Sequence, residues 1–431
     1  MSNKKQQEAK ISQGSLRVLS LFSGCGGMDL GMEGNFRVPR PCIHPQFARY
    51  FIENEIDDYY VQLRGTPFRT VFANDILPAA ARTWQSYFVP RGHLPEMFHT
   101  ESIVDLVKQA RARQWSFPQQ IDVVTGGFPC QDFSLAGKRR GFQSHKDHHG
   151  QIITLPVASE ETRGKLYIWM KSVIELVQPK IFIAENVKGL VNLSNVKDII
   201  QQDFSNSCGQ GYLVLPPRVL QAADYGVPQS RERVIFIGIR KSALRTEALQ
   251  NLQQDTIPET YDPYPKPTHA YSSNAHPHLM PPVSLQKIFA PLSEPEHSRD
   301  PDQKYYSKAR YMGKHCQGQR EVNLQDVSPT IRAEHHGNIE FRRLSIEHGG
   351  QMNEELSRGY LERRLTPREC ALIQTFPPDY SFIRPEGQRQ RFIVSPSMAY
   401  KVIGNAVPPF LAFHIAKRLE QVWALYFDMS R

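Results

Sequence analysis

Cysteine is scarce in this sequence, and no two cysteines have the spacing of a metal site. The six cysteines lie singly along 431 residues, without a C-x-x-C pair. A zinc ribbon or a disulfide framework is therefore not expected. No apolar run is long enough to cross a bilayer, and the Lys- and Gln-rich start lacks the apolar centre of a signal peptide. We therefore expect reduced thiols in a cytoplasmic protein, with residues 1–16 as a disordered tail.

An intact dinucleotide fingerprint is also missing. Residues 17–22 read R-V-L-S-L-F, the pattern of a buried parallel strand, and continue into S-G-C-G-G-M-D-L-G at residues 23–31. Asp29 stands where the pattern G-x-G-x-x-G requires its third glycine. This weakens the hypothesis of a dinucleotide-dependent oxidoreductase. A strand, a glycine-rich turn and a helix start still predict a ligand site at the strand's carboxyl end.

Negative charge is in the minority. The chain has 52 Lys and Arg against 43 Asp and Glu, which gives a formal net charge of +9. This balance fits a polyanionic partner, although many basic proteins never touch nucleic acid. The length is sufficient for a large core and two domains.

The most informative stretch joins an apolar run at residues 121–124 to a glycine pair and a Pro-Cys pair. Residues 127–134 read G-F-P-C-Q-D-F-S, and G-K-R-R-G follows at residues 137–141. A free cysteine is most often a small buried hydrophobe. Glycine, amide, hydroxyl and basic groups are poor core neighbours, and positive charge favours the thiolate. The pattern therefore favours Cys130 as a nucleophile in a loop after a central strand.

Carboxylates follow two further apolar runs. Asp75 follows the run at residues 70–74; it could accept hydrogen bonds from a ribose or cap the helix predicted near Pro78, and this stretch leaves the two readings equal. Glu185 and Asn186 follow the run at residues 180–184, and burying such a pair is costly unless it is satisfied or used.

A basic pair precedes the next apolar run. Arg231 and Arg233 share one side of a predicted strand because side chains alternate with a period of two. Taken alone, the pair would indicate a solvent-facing edge strand.

Together and in this order, these motifs resemble those of the DNA (cytosine-5) methyltransferase family of the bacterial restriction-modification type. The resemblance rests on G-F-P-C-Q-x-F-S, E-N-V at residues 185–187 and Q-x-R-x-R at residues 229–233. It extends to F-S-G-C-G-G at residues 22–27 and G-N-A-V-P-P at residues 404–409. Thr366 and Glu369 form a predicted capping box in a further motif of the family.

The resemblance implies an α/β fold, with a Rossmann-like S-adenosylmethionine-dependent methyltransferase sheet and a second, smaller target-recognition domain. Residues 17–240 would form the catalytic and cofactor-binding domain, and residues 241–393 the target-recognition domain. Residues 394–431 would return to the catalytic domain. Residues 241–360 are rich in Pro, His, Gln and Ser and lack a clear period, which suits a second domain or a binding segment.

The resemblance also implies a covalent mechanism on a cytosine flipped out of duplex DNA. Cys130 would add to carbon 6, so that carbon 5 could attack the methyl group of S-adenosylmethionine. Glu185 would present a protonated or protonatable carboxyl group to ring nitrogen 3, and Arg233 would hold the carbonyl oxygen. Arg231 would support the cysteine loop and a neighbouring phosphate, and Asn186 would brace Glu185 or that loop. The implied catalytic set is Cys130, Gln131, Glu185, Asn186, Arg231 and Arg233.

The implied cofactor-binding residues are Phe22, Ser23, Gly24, Gly26, Asp75, Ile76, Ile103, Pro129 and Asn405. The family often has an aromatic residue where Ile76 stands and an acid where Ser102 stands. Glu101 could supply that acid after a shift of one residue. No metal is expected, because the histidines of the long 143–163 loop have no acid or cysteine to complete a closed site.

Three alternatives remain beside the methyltransferase. One is a transfer-RNA cytosine-5 methyltransferase, against which the long recognition segment argues. Another is a catalytically inactive DNA-binding relative, against which the intact catalytic motifs argue. The third is the oxidoreductase. We expect a monomer that acts on double-stranded DNA in the bacterial cytosol, with a restriction endonuclease as functional partner. The insertion at residues 32–69 has no predicted function.

Overall fold

The protein was analysed as a computed structural model. It describes residues 14–128, 166–192, 196–207, 209–271, 278–313, 315–316, 318–333, 339–386 and 391–428. The predicted site residues Pro129, Cys130 and Gln131 and the 143–163 loop lie outside these ranges. Within them, no helix is both long and apolar enough to cross a membrane.

In chain order the strands are β1 Leu16–Leu21, β2 Arg37–Pro39, β3 Ile52–Glu55, β4 Tyr60–Leu63, β5 Phe68–Asn74, β6 Phe98–His99, β7 Val123–Gly126, β8 Ile181–Val187, β9 Tyr212–Val214, β10 Arg218–Gln221, β11 Glu232–Arg240, β12 Arg320–Glu321, β13 Glu340–Arg343, β14 Arg363–Arg364, β15 Pro385–Glu386 and β16 Arg391–Phe392. The helices are α1 Gly27–Glu33, α2 Pro45–Phe51, α3 Pro78–Phe88, α4 Ile103–Arg111, α5 Leu166–Val177, α6 Val196–Ser205, α7 Thr246–Leu252, α8 Leu285–Phe289, α9 Pro301–Lys304, α10 Asn353–Ser357, α11 Pro367–Ile373, α12 Pro396–Asn405 and α13 Pro409–Tyr426.

A mostly parallel central sheet organises the chain. Its strand order is β10-β11-β8-β7-β1-β5-β6, and β9 pairs with β11. Strands β8, β7, β1, β5 and β6 are parallel, whereas β11 is antiparallel to β8. The parallel strands are apolar almost throughout because helices or other segments cover both faces. The predicted α/β, Rossmann-like sheet is confirmed.

The strand order reverses beside β1. From β1 the chain first builds β5 and β6 on one side, and then crosses to β7 and β8 on the other. Loops at the carboxyl ends of strands diverge at such a reversal and leave a crevice in which ligands bind. The glycine-rich turn follows β1, and the Pro-Cys stretch follows β7. The topology therefore places the glycine-rich turn and residues Gly127 and Phe128, which lead to the Pro-Cys pair, on either side of this crevice.

Strand register places corresponding positions of four neighbouring strands at the same level. Leu21 of β1 lies opposite both Asn74 of β5 and Gly126 of β7, and Gly126 lies opposite Ala184 of β8. The residues that follow these positions therefore emerge at one edge of the sheet. Strand β8 continues to Val187, further than the sequence pattern predicts, because the antiparallel strand β11 pairs with it up to that residue.

The insertion at residues 32–69 forms a small sheet with the order β2-β4-β3 and packs against α13. The rings of Phe36 and Phe51 meet that of Phe413 at 6.1 and 5.2 Å. Cys42 is buried, and the His44 ring accepts a hydrogen bond from the main chain at the start of α2. The insertion therefore extends the core under the C-terminal helix.

The segment after β11 also packs against the sheet. Leu252, Tyr264 and Ile288 belong to the same apolar cluster as Ile235 and Ile237 of β11. The hydroxyl of Tyr264 donates to the carbonyl of Ile235 at 3.1 Å. The predicted domain start at residue 241 thus falls within chain that covers the sheet, and the extent of the recognition domain stays a prediction.

Two local predictions about helices are confirmed. The sequence predicts a helix between Gly164 and Pro179, and α5 spans Leu166–Val177 with Trp169 and Met170 buried. Helix α11 begins at the predicted capping box, in which the Thr366 hydroxyl and the Glu369 carboxylate each bind the other's main-chain N–H.

Two buried histidines make the fold sensitive to acid. His269 and His414 are 0% and 4% exposed, and the Nε2 atom of each has no hydrogen-bond partner among the residues that the structure describes. Burial lowers the pKa of His269 to about 4 and that of His414 to about 3. Both rings therefore stay neutral in the folded protein, whereas in the unfolded chain they bind protons below about pH 6.5. Stability should fall as the pH decreases from about 6.5.

Replacing His414 with glutamine should flatten this pH dependence. The expected change is roughly 2 kcal/mol less loss of unfolding free energy between about pH 7 and pH 5, because one titrating group is gone. Urea unfolding at the two pH values measures it. His297→Gln, at an exposed position, is the matched control and should leave the pH dependence unchanged. If the unfolding free energies of the unsubstituted protein and both variants depend equally on pH, His414 is not a source of the acid sensitivity.

Candidate active site

The turn after β1 presents its main chain to the crevice. Phe22, Gly24 and Gly26 have left-handed φ angles of 53°, 54° and 83°. A Cβ atom at Gly26 would lie 2.6 Å from the Phe88 ring and 2.7 Å from the Trp84 ring, so only glycine fits there. The main-chain N–H groups of Ser23, Gly24 and Gly26 donate within the protein, to Asn74, Asp75 and Ser23. The glycines let a ligand approach the main chain of the turn closely.

Asp75 connects this turn to the end of β5. One carboxylate oxygen accepts from the main-chain N–H of Gly24 at 3.1 Å, and the other accepts from that of Leu77 at 2.8 Å. The second bond leads into α3, which begins at Pro78 as predicted. Asp75 therefore shapes the start of α3 and also holds a negative charge beside the glycine-rich turn.

Asp29, at the position of the missing third glycine, belongs to a buried polar network. Its carboxylate accepts from the Ser20 hydroxyl at 2.5 Å and from the Trp84 indole at 2.8 Å. The Ser23 hydroxyl donates in turn to the Ser20 hydroxyl at 2.8 Å. Burial raises the pKa of Asp29 to about 6, although both hydrogen bonds oppose the shift. Asp29 thus connects β1 with α3 on the buried side of the turn.

A cleft of about 440 Å³ opens between the residue after Asp75 and the start of α4. Its lining residues are Ile76, Thr100, Glu101, Ser102, Asp105, Lys108 and Gln109. Ile76 is 39% exposed, unusual for a large apolar side chain, and the Glu101 carboxylate lies 3.7 Å from His99. The Ser102 hydroxyl accepts from the main chain of α4 at 3.3 Å. Glu101, rather than Ser102, is therefore the more exposed polar group on this wall.

Ile103, a predicted cofactor-binding residue, is buried at the start of α4, and its contact with the cofactor stays a prediction. It is 3% exposed within the apolar cluster beneath α4 and is not among the residues that line the cleft. As the first residue of an amphipathic helix it faces the core, where burial is more favourable.

The segment after α12 packs against the glycine-rich turn. A Cβ atom at Gly27 would collide with the carbonyl oxygen of Val407. Asn405, the last residue of α12, is exposed beside this contact. Residues 404–407 thus lie against the turn, and the contact of Asn405 with the cofactor stays a prediction.

Glu185 lies at the entrance to the cysteine loop. A Cβ atom at Gly127 would lie 2.8 Å from its Oε2 atom, and its Oε1 atom is 2.8 Å from Nε of Arg233. Both side chains of this ion pair are 11% exposed. Strand register explains the pair. Arg233 of β11 lies opposite Val187, two residues after Glu185 on β8, so Arg233 and Glu185 are diagonal neighbours on one face of the sheet. The predicted acid and its basic partner are thus in contact.

Asn186 holds the main chain just before the cysteine loop. Its amide nitrogen donates to the carbonyl of Phe128 at 3.3 Å, and the residue is 2% exposed. Phe128 is two positions before Cys130. This contact matches the bracing role that the sequence predicts for Asn186.

Arg231 has partners other than the predicted phosphate. Its guanidinium donates to the carbonyls of Ile331, Gly404 and Ala406 at 3.0, 3.0 and 2.8 Å. The residue is 2% exposed, so a contact with a DNA phosphate would require these bonds to break. Arg231 instead fastens two distant segments, residues 404–406 and the region around Ile331, to the catalytic sheet.

Gln229 is a residue to which the sequence reasoning assigned no role. Its side chain accepts from the main chain of Ile331 at 2.9 Å and donates to Gln374 at 2.9 Å. Gln374 donates in turn to the carbonyl of Ile403 at 2.8 Å. Gln229 is completely buried. The first residue of the Q-x-R-x-R motif therefore helps to hold the same segments as Arg231, and a long polar side chain in a buried turn was the signal for it.

One edge of the sheet therefore carries the Glu185–Arg233 ion pair and Gly127, which leads to the cysteine loop. The glycine-rich turn, with Asp75 beside it, lies at the same edge. Within the described residues no group of three or more Cys, His, Asp or Glu could hold a metal ion.

Comparison with known proteins identifies the family. A model of C-5 cytosine-specific DNA methylases matches residues 16–421. The Type II methyltransferase M.BspRI of Lysinibacillus sphaericus is 31% identical, over 97% of this chain and 85% of its own. For the Type II methyltransferase M.BsuRI of Bacillus subtilis the corresponding values are 29%, 96% and 81%.

Two solved structures share the fold. The S. pombe Dnmt2 methyltransferase has a TM-score of 0.51 at 17% identity and covers 94% of this chain and 98% of its own. The Entamoeba histolytica methyltransferase EhMeth has a TM-score of 0.52 at 14% identity, with 96% and 99% covered. From the family match along nearly its whole length, this chain belongs to the C-5 cytosine-specific DNA methylases.

Proposed function

We propose that this protein transfers a methyl group from S-adenosylmethionine to carbon 5 of a cytosine flipped out of duplex DNA, through a transient bond to Cys130. The observation that carries the proposal is the Glu185–Arg233 pair at the entrance to the cysteine loop, in a chain of this family. Because its relatives are named Type II methyltransferases, we also infer that it protects DNA beside a restriction endonuclease.

The groups around the glycine-rich turn fit S-adenosylmethionine. The glycines of the left-handed turn allow the amino-acid end of the cofactor to approach the main chain closely, and the Asp75 carboxylate is suited to ribose hydroxyls. Ile76 offers apolar contact to an adenine face, and Glu101 is an acceptor for the adenine amino group. Bound here, the cofactor would supply a methyl group on a positively charged sulfur.

Asp75→Asn should weaken this binding. Asparagine is nearly isosteric, but it replaces a charged acceptor with a neutral one, and we expect about a tenfold loss of affinity for S-adenosylhomocysteine. Calorimetric titration measures it without catalysis. Asp379→Asn, which breaks a half-exposed pair with Arg91, is the control and should bind normally. Unchanged affinity in Asp75→Asn would remove this residue from the cofactor site.

The chemistry requires a nucleophile and an acid on opposite sides of one ring. The Cys130 thiolate adds to carbon 6, and a proton passes to ring nitrogen 3 as the ring becomes enamine-like. Carbon 5 then takes the methyl group. Loss of its original proton and departure of the thiolate restore the aromatic ring.

Glu185 and Arg233 divide the work on the polar edge of the base. Arg233 occupies Oε1 of Glu185, whereas Oε2 lies on the side of Gly127 and the cysteine loop. We assign Oε2 the contact with ring nitrogen 3 and the Arg233 guanidinium the stabilisation of the neighbouring carbonyl oxygen. Their 11% exposure strengthens both interactions, because little water screens them.

A target base inside a duplex must leave the stack first. Flipping costs a few kcal/mol, which contacts with the pocket and backbone repay. We assign base reading in the major groove to residues 241–393. Monomeric state and cytosolic location stay predictions.

The direct test is to incubate the protein with methyl-tritiated S-adenosylmethionine and either unmethylated duplex DNA or transfer RNA. The proposal predicts label only in 5-methylcytosine of DNA, and bisulfite sequencing then gives the recognised site. Label in transfer RNA would favour the alternative substrate, and no label in either would favour an inactive DNA-binding relative.

A further inference from the structure

Four arginines of the 290–370 region, Arg342, Arg343, Arg363 and Arg368, form ion pairs within the protein. Arg343 contacts Glu294 at 2.9 Å and Glu355 at 2.6 Å, and Arg363 contacts Glu369 at 2.8 Å. These side chains are nearly buried, so their charges are neutralised within the protein. They stabilise the fold and are not available to a partner.

Among the described cations without such a neighbour are four on α9, on the segment that follows it and on α12. Lys304, Lys308, Arg310 and Lys401 make no ion pair with any residue that the structure describes. The first three are exposed, and Lys401 is half-buried on α12. We call these four residues the basic strip.

Packing aims two members of the basic strip outwards. Ala309 and Tyr311 pack against the cluster formed by Ile339, Phe341 and Leu344. Lys308 and Arg310 alternate with these anchors and are exposed. In extended chain, alternate side chains point to opposite sides, so the anchors hold both cations towards solvent.

A hydrogen bond joins this segment to α12. The hydroxyls of Ser307 and Ser397 are 2.9 Å apart. Ser397, Lys401 and Asn405 follow one another at intervals of four residues and therefore share one face of the helix. Along the axis, Lys401 is about 6 Å from each of the other two. This face leads from Ser307 to Asn405, beside the glycine-rich turn.

We propose that the basic strip binds the phosphodiester backbone of duplex DNA as it leaves the catalytic crevice. The inference rests on the proposed function and extends it to a surface outside the catalytic motifs. Charge complementarity supports it, since unpaired cations attract phosphates and release condensed counterions. The exposed Tyr305 ring, packed on Phe392 with their centroids 5.0 Å apart, adds a rigid platform next to Lys304.

The test compares the salt dependence of DNA binding between Lys308→Gln/Lys401→Gln and the unsubstituted protein. Fluorescence anisotropy with a short labelled duplex of mixed sequence gives Kd between about 50 and 200 mM salt. The double variant should bind at least about fivefold more weakly, and the slope of log Kd against log salt should fall by about two. Affinity for S-adenosylhomocysteine should not change, which shows that the variant is folded.

Lys241→Gln is the matched control. Strand β11 ends at Arg240, and Lys241 follows it. Because Ile239 pairs with Ile181, the first residue of β8, Lys241 lies at the edge of the sheet opposite the crevice. Its slope should equal that of the unsubstituted protein. If the double variant also keeps that slope while the unsubstituted protein methylates DNA, the basic strip is refuted and the proposed function stands. Absence of salt-dependent binding by the unsubstituted protein would overturn both.

Discussion

Replacing Cys130 with alanine should abolish methyl transfer and leave DNA binding nearly intact. Without the thiolate, carbon 5 of cytosine remains a poor nucleophile, so the rate should fall by at least about 10,000-fold, as when other enzymes lose a covalent nucleophile. Single-turnover transfer of tritiated methyl groups to duplex DNA measures the rate. Anisotropy with the same duplex measures binding.

Cys316→Ala is the matched control for this substitution. Cys316 is a free and partly exposed cysteine in the predicted recognition domain, and no catalytic motif lies near it in the sequence. Its replacement should leave transfer within about twofold of normal, as surface substitutions usually do. Transfer by Cys130→Ala at a comparable rate would refute the nucleophile assignment.

Replacing Glu185 with glutamine should slow the chemical step by about 100- to 10,000-fold. Glutamine keeps the shape of the side chain, but it cannot deliver a proton to ring nitrogen 3 and it loses the ion pair with Arg233. Single-turnover rates at saturating DNA and cofactor isolate this step. Affinity for S-adenosylhomocysteine should stay normal, because Asp75 and the glycine-rich turn are unchanged.

A neighbouring glutamate separates this effect from the loss of any ion pair. Glu232 precedes Arg233 and contacts Lys188 at 2.7 Å, where both side chains are more than one third exposed. Glu232→Gln therefore removes a screened pair worth little and should leave the rate almost unchanged. Equal slowing in the two variants, or a large loss of cofactor affinity in Glu185→Gln, would reassign Glu185.

Local sequence patterns predict much of this fold because their causes are local. The capping box at Thr366 needs only residues within one turn, and the buried stripe of α5 follows from helical spacing. Strand β8 shows the limit of such patterns. It runs three residues beyond the apolar run, through Glu185, because β11 pairs with it from a distant part of the chain.

In the candidate site, too, local sequence predicts some features and not others. Glu185 and Asn186 could be chosen from sequence because polar residues after an apolar run are costly unless used. The partners of Arg231 could not, since they are main-chain carbonyls 100 to 175 positions away. The burial of Ile103 is a similar case, because its motif position does not indicate which way the first turn of α4 faces. Long-range packing, which no local pattern records, decides both.

The account depends on a bond between one sulfur atom and one pyrimidine carbon, and that bond can be trapped. Duplex DNA in which 5-fluorocytosine replaces cytosine cannot lose its carbon-5 substituent as a proton, so the enzyme cannot release the adduct after methyl transfer. With S-adenosylmethionine present, we expect a complex that survives denaturing electrophoresis, and peptide mass spectrometry should place the modified base on Cys130. A protein that methylates ordinary DNA yet forms no denaturation-resistant complex with the fluorinated duplex would contradict the covalent mechanism.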